Sequence, residues 1–249
     1  MSITMPVDQK IFLLWQACDP EFAVASFVAP VETSGSYAKK VRRLARYGRL
    51  SDADVTILCQ VVDDFRRFVM IVDDVVDEDE IRNNAPSFWT RYGIDQTIAQ
   101  GSWYFKKAVE AATHIGCGDG LKVALYQMAC AVDKEIEYED PYYVPEDMKA
   151  DYLVIVKKET AFRVFLAQAL GCSQAVIDAM YWDGFSGQVL DDALSSLSPK
   201  DGREENSDER LGRLTYMSAF EVSAEDAILF ARQLKTIVST IIQSQGENT

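Results

Sequence analysis

An apolar run from Phe68 to Val72 ends in six acids, Asp73, Asp74, Asp77, Glu78, Asp79 and Glu80, and Arg82 follows. On a helix Asp73 and Asp77 lie one turn apart and share a face. Carboxylates that close repel, so the pairing is useful only with a cation between them. Hard divalent ions such as Mg²⁺ take oxygen ligands, often one or two carboxylates plus substrate phosphates. The stretch is therefore a candidate Mg²⁺–diphosphate site at the polar end of a buried helix. The plainer reading of the same residues is a helix that runs out into a solvated acidic turn. A second cluster, from Gln188 to Ser195, spaces Gln188, Asp191 and Ser195 three and four residues apart, again on one face. All three offer oxygens, although an exposed polar face would use the same residues. Helix bundles build metal sites from inward carboxylates on facing helices. Two such clusters, at the ends of two long apolar helices, could share one mouth of an apolar cavity. A diphosphate held there by Mg²⁺ would have its charge neutralised. Its C–O bond could then break heterolytically, leaving an allylic cation in a dry pocket.

The elements that must carry these residues read as helices. Apolar positions at helical spacing run through residues 8–28, and a loop follows over 30–37. Lys39 to Tyr47 is a basic helix. Ser51, with Asp54 three residues on, resembles a capping box that starts a long helix to about Glu80. Asn83-Asn84-Ala85-Pro86 breaks that helix. Further helices are expected over 94–115, 121–138, 146–170, 173–196 and from Ser223 to about Gln243. A Pro/Tyr loop lies at Pro141–Pro145, and Pro199 to Arg213 is a polar connection. No sustained β alternation, fixed repeat or dividing linker is visible, so residues 1–249 read as one all-α domain.

Composition narrows the function classes. The net charge of −14 opposes a nucleic-acid partner, since no broad basic footprint exists. The basic clusters Lys39-Lys40-Val41-Arg42-Arg43 and Arg66-Arg67 are small enough to be solvated helix faces. Five scattered cysteines lack a metal-ligand spacing and read as reduced packing residues of a cytoplasmic protein. Asp8 and Asp19 lie close to the N-terminal apolar residues, which makes that stretch a poor secretory signal. No apolar run reaches ~18 residues, so no membrane span is expected.

The chain resembles the trans-isoprenyl diphosphate synthases and their relatives, the class I terpene cyclases. The family's first aspartate-rich motif is matched by Asp73-Asp74-Val75-Val76-Asp77. Its double arginine is reduced to Arg82-Asn83, followed by Pro86. The helix with a Lys-Thr-Ala signature matches at Thr160-Ala161, with Glu159 at the lysine position. The second motif is matched by Gln188, Asp191 and Asp192, and Ser195 stands at its last aspartate. Gly202-Arg203, Ser207-Asp208 and Arg213-Leu214-Thr215-Tyr216 resemble the downstream elements, with arginine in place of lysine. The resemblance runs from about residue 52 to 245. It implies an all-α isoprenoid-synthase bundle around a central apolar cavity, three Mg²⁺ ions, an allylic isoprenyl diphosphate substrate and a homodimer. In its terms Asp73, Asp77, Asp191 and Ser195 would bind metal, with Asp73, Asp77 and Asp191 catalytic. Arg82, Gln188, Arg203, Arg213 and Thr160 would bind substrate.

Departures from the pattern shape the functional expectation. The basic site for a second diphosphate, that of isopentenyl diphosphate, has a poor match at Ser34–Lys40 and loses an arginine at Asn83. Arg66 replaces a glutamine and partly compensates. Such losses remove charge-assisted hydrogen bonds. The allylic side is better kept. The leading expectation is therefore ionisation of a C10–C15 allylic diphosphate followed by cyclisation, as in a class I terpene synthase. The alternatives are a prenyltransferase and a non-catalytic partner subunit of a synthase. In the resembled family the residue five before the first aspartate closes the pocket, and here that is Phe68.

Overall fold

The computed structural model of the chain describes residues 5–22, 29–33, 35–198 and 207–246. Twelve helices are seen among them: α1 (Val7–Ala17), α2 (Ser36–Ala45), α3 (Asp52–Val76), α4 (Phe88–Tyr92), α5 (Ile94–His114), α6 (Gly118–Glu137), α7 (Met148–Ile155), α8 (Lys157–Ala169), α9 (Gln174–Leu197), α10 (Ser207–Leu211), α11 (Tyr216–Phe220) and α12 (Ala224–Gly246). The all-α expectation holds. The one departure is a two-residue hairpin, β1 (Ile81–Arg82) with β2 (Ala85–Pro86). Asn83 and Asn84 make its turn at φ 53° and 60°, the left-handed region that asparagine tolerates.

Helix α3 is the centre. Ser51 caps it, its Oγ accepting from the Asp54 amide at 3.2 Å. Val55, Leu58, Val62, Phe65, Phe68, Val72 and Val76 form a stripe that is buried against α2, α5 and α1. Each large side chain so buried contributes about 1.5–3 kcal/mol. At Gly101 of α5 an added Cβ would lie 2.9 Å from Val72 Cγ2 and 3.6 Å from the Phe68 ring, so α5 lies close against α3 there. The helix ends at Val76, short of the expected Glu80, and Glu78 turns left-handed at φ 54°. This brings the following acids off the helix axis and into a tight turn.

The helix expected over 146–170 is broken at Val156, where the amides of Glu159 and Thr160 both donate to the Val156 carbonyl at 3.1 Å. It stops as expected at Gly171, in a Schellman arrangement: Cys172 N–H donates to Ala167 O and Gly171 N–H to Gln168 O. Helices α8 and α9 cross closely, since a Cβ on Gly184 would meet Thr160 Cα at 2.8 Å. The first expected helix is α1 alone, with a 3-10 turn at Pro20–Phe22; residues 23–28 lie outside the described residues. All five cysteines are free thiols. Among the described residues no helix is long and apolar enough to cross a membrane.

Candidate active site

The two acidic clusters meet. Asp73, Asp77 and Arg82 line one cavity of about 460 Å³ together with Gln188, Asp191, Ser195 and Arg213. Its lining carries six acids and six bases, so the mouth is more polar than an apolar bundle would make it. A narrow apolar groove of about 50 Å³ opens beside it, lined in part by Phe68, Val72 and Val76. The groove shares Val69, Asp73, Met128 and Val132 with the main cavity.

Each Asp-Asp pair divides its labour, because neighbours on a helix point about 100° apart. Asp73 faces the cavity, its side chain 48% exposed, and touches Arg82 at 3.2 Å. Asp74 turns inward and holds Arg82 at 2.6 Å. Burial pushes the Asp74 carboxyl up to about 7, against the pull of Arg82. The second pair repeats this. Asp191 is exposed in the cavity, while Asp192 is buried. Asp192 accepts from Tyr152 OH at 2.8 Å, the Tyr216 amide at 2.8 Å and Gln188 Nε2 at 2.6 Å.

A hard divalent cation fits the acids that remain in the cavity. Burial, and then the nearby Asp77, push the Asp73 carboxyl above its ordinary value, a strain that a bound cation relieves. Among the described residues no group of three or more His, Cys, Asp or Glu could hold a metal alone. Mg²⁺ commonly binds through one or two carboxylates together with substrate phosphate oxygens. Asp77 is also paired with Arg213, and Ser195 is only 4% exposed. Asp73 and Asp191 are the more exposed acids of the two clusters.

Other expected residues lie differently. Thr160 is buried beneath Gly184 at the α8–α9 crossing and is not among the residues lining the cavity. Arg213 is 6% exposed and engaged on several sides: Asp77, Glu139 at 2.7 Å and the Val76 carbonyl at 3.1 Å. Glu159 faces the cavity but pairs with Arg163 at 3.0 Å. Phe68 is buried between Phe65 and Phe105 and also walls the groove. Arg203 lies outside the described residues.

Three further features shape the site, and of their residues only Arg66 was singled out at the site by the sequence. Lys158, next to the unmatched Glu159, lines the cavity and pairs with buried Glu135 of α6. A second wall is basic and aromatic: Arg66 and Lys40 lie over the Tyr37 ring at 5.3 and 4.8 Å. Arg66, Arg163 and Lys235 line the cavity beside it. Lys40 is held below its usual range by burial and then by Arg163, a sign of crowded positive charge. Finally, Lys10 of α1 is wholly buried and pairs with Glu78 at 2.8 Å and Glu139 at 2.5 Å. Arg210 donates to the Asp77 carbonyl at 2.6 Å. These contacts tie the acidic turn to α1 and α10.

Comparison with known proteins identifies the family. The family model described as polyprenyl synthetase matches residues 37–245. A short chain isoprenyl diphosphate synthase of Methanothermobacter thermautotrophicus is 28% identical over 168 residues, 60% of this chain and 51% of that protein. A geranylgeranyl diphosphate synthase of Methanosarcina mazei is 26% identical over 175 residues, 62% of this chain and 53% of that protein. The chain thus spans about half the length of the curated relatives it matches. Among solved structures, a geranyltranstransferase of Thermotoga maritima superposes with a TM-score of 0.72 at 16% identity, covering 99% of this chain and 86% of that one. A likeness at that identity concerns the fold.

Proposed function

Because the chain belongs to the polyprenyl synthetase family, we propose that it is a prenyltransferase. In this reading it condenses a C10–C15 allylic diphosphate donor with a second diphosphate such as isopentenyl diphosphate. One observation carries the reading: both acidic motifs and a separate basic wall of Arg66, Arg163 and Lys235 line the same cavity. An allylic diphosphate would bind at Asp73, Asp77 and Asp191 through Mg²⁺, with Arg82 and Lys158 taking charge from the leaving group. Bound there, Mg²⁺ supplies neutralisation of the diphosphate's charge. The basic wall would hold the second substrate's phosphates, in place of the family arginine lost at Asn83. The apolar lining of α3 and α6 excludes water from the cation. Arg163 of this wall also pairs with Glu159 and Asp183; cyclisation offers the wall no second diphosphate, and the matched relatives' names are those of diphosphate synthases.

The test is incubation with Mg²⁺ and geranyl or farnesyl diphosphate, with and without isopentenyl diphosphate. A longer diphosphate is expected only when both substrates are present. A cyclic or volatile product from the donor alone would replace this reading with cyclisation. No turnover, together with a changed product from an added synthase, would replace it with a partner subunit.

Phe68 supplies a second expectation. A tail anchored at Asp73 and running down α3 meets its ring about 7–8 Å along the axis. Phe68→Ala should move kcat/KM toward a C20 donor relative to a C15 one. It should also cost about 3–5 kcal/mol of stability, since the ring is fully buried. An unchanged ratio in a folded variant would remove Phe68 from the pocket floor.

A further inference from the structure

Helix α1 lies ahead of residues 37–245, the part matched by the family model. Even so, its Leu14 is buried and lines the apolar groove. Facing it are Phe68, Val69 and Val72 of α3 and Leu125 and Met128 of α6. The groove begins at Asp73, so it is the path an apolar tail takes from the acidic site. At about 50 Å³ it is far narrower than the 460 Å³ main cavity it joins. A prenyl tail therefore enters only where a wall side chain gives way, and the walls differ in how firmly they are held. Phe68 is wedged between two aromatic rings within the longest described helix. Leu14 belongs to an eleven-residue helix near the start of the chain.

That helix is nevertheless anchored. Lys10, one turn before Leu14 and on the same face, carries the buried pairs to Glu78 and Glu139. Trp15 Nε1 donates to Asp133 at 3.4 Å, and Ser102 Oγ donates to the Ala17 carbonyl at 3.1 Å. The helix is thus pinned on both sides of Leu14, and the leucine is held against the groove.

We propose that Leu14 is a specificity-determining residue that limits the length of prenyl tail the groove accepts. This rests on the reading of the cavity as an allylic diphosphate site. The tail's far end would abut Leu14 together with Phe68, and its chain length would be set jointly by α1 and α3.

Calorimetric titration with non-ionising thiolodiphosphate analogues of geranyl, farnesyl and geranylgeranyl diphosphate, with Mg²⁺, tests this without turnover. Leu14→Ala should raise the C20 to C15 affinity ratio by at least about tenfold, the discrimination that small volume changes in an apolar pocket provide. Leu14→Phe should lower the C15 to C10 ratio. Phe12→Ala, on the exposed side of the same helix, should change neither. Should Leu14→Ala fail to fold, Leu14→Val and Leu14→Phe carry the test. Unchanged ratios in folded Leu14 variants overturn the proposal and leave the prenyltransferase reading standing. An equal shift in Phe12→Ala also overturns it, since the effect would then come from loosening the helix. Wild-type protein that binds none of the three analogues overturns the prenyltransferase reading and this proposal with it.

Discussion

Asp73→Ala is expected to abolish turnover, lowering kcat/KM by at least about a thousandfold, while the fold stays intact. The two halves of that result have separate causes. The Asp73 side chain is 48% exposed to the cavity and pairs with Arg82 at 3.2 Å. Partial burial and then the nearby Asp77 oppose its ionisation. Removing it relieves repulsion, so the unfolding midpoint should stay or rise slightly. The rate loss follows if Asp73 carries the cation that neutralises the leaving diphosphate. Asp74→Ala is the contrast. It leaves Arg82 without its 2.6 Å partner, so stability and rate should fall together. Steady-state kinetics with saturating Mg²⁺, paired with thermal melts, separates the two variants. Wild-type turnover in Asp73→Ala would remove the first acidic motif from the metal site.

The residues that sequence spacing could locate were those whose relation is local. Asp73 and Asp77, or Gln188, Asp191 and Ser195, share a face by helical geometry alone. Their meeting in one cavity followed from placing both at the ends of long apolar helices. What sequence could not supply was partner choice across the chain. Arg213 reaches Glu139 and Asp77, 74 and 136 residues away. Those contacts fix it at the acidic turn, where the motif suggested only a substrate contact. Thr160 matched a motif, but its burial depends on the close approach of Gly184. Lys158 was passed over because the motif directs attention one residue on, to Glu159. The break at Val156 that precedes it has no glycine or proline to announce it. The turn at Asn83-Asn84 was legible in its chemistry, since asparagine favours left-handed backbone, yet it was read only as a helix stop. Lys10 and Leu14 looked like ordinary positions of an amphipathic helix, and only packing against α3 and α6 gives them a place at the site.

Asp192 is where the largest loss of stability is expected. Three donors converge on its carboxylate: the hydroxyl of fully buried Tyr152, the Tyr216 amide and the Gln188 side chain. Together they join α7, α9 and the start of α11. Asp192→Ala leaves these donors unpaired in the core, each at about 1–3 kcal/mol, for a total cost of at least about 3 kcal/mol. Asp192→Asn keeps a carbonyl acceptor and should cost less, and its effect should depend on pH. Burial raises the Asp192 carboxyl from its ordinary 3.8 to about 7, despite the lowering influence of Lys158. Between these values the folded chain retains a proton that the unfolded chain has lost. Stability from this group is therefore fully present below about pH 4 and is lost as the pH rises through about 7. Asparagine has no such dependence, so Asp192→Asn should gain on the wild type as the pH rises from 5 to 8. Urea unfolding of both proteins at those two pH values measures the difference directly. A variant that instead loses ground as the pH rises would mean that the three donors and Lys158 outweigh burial, and that Asp192 is ionised in the folded chain throughout.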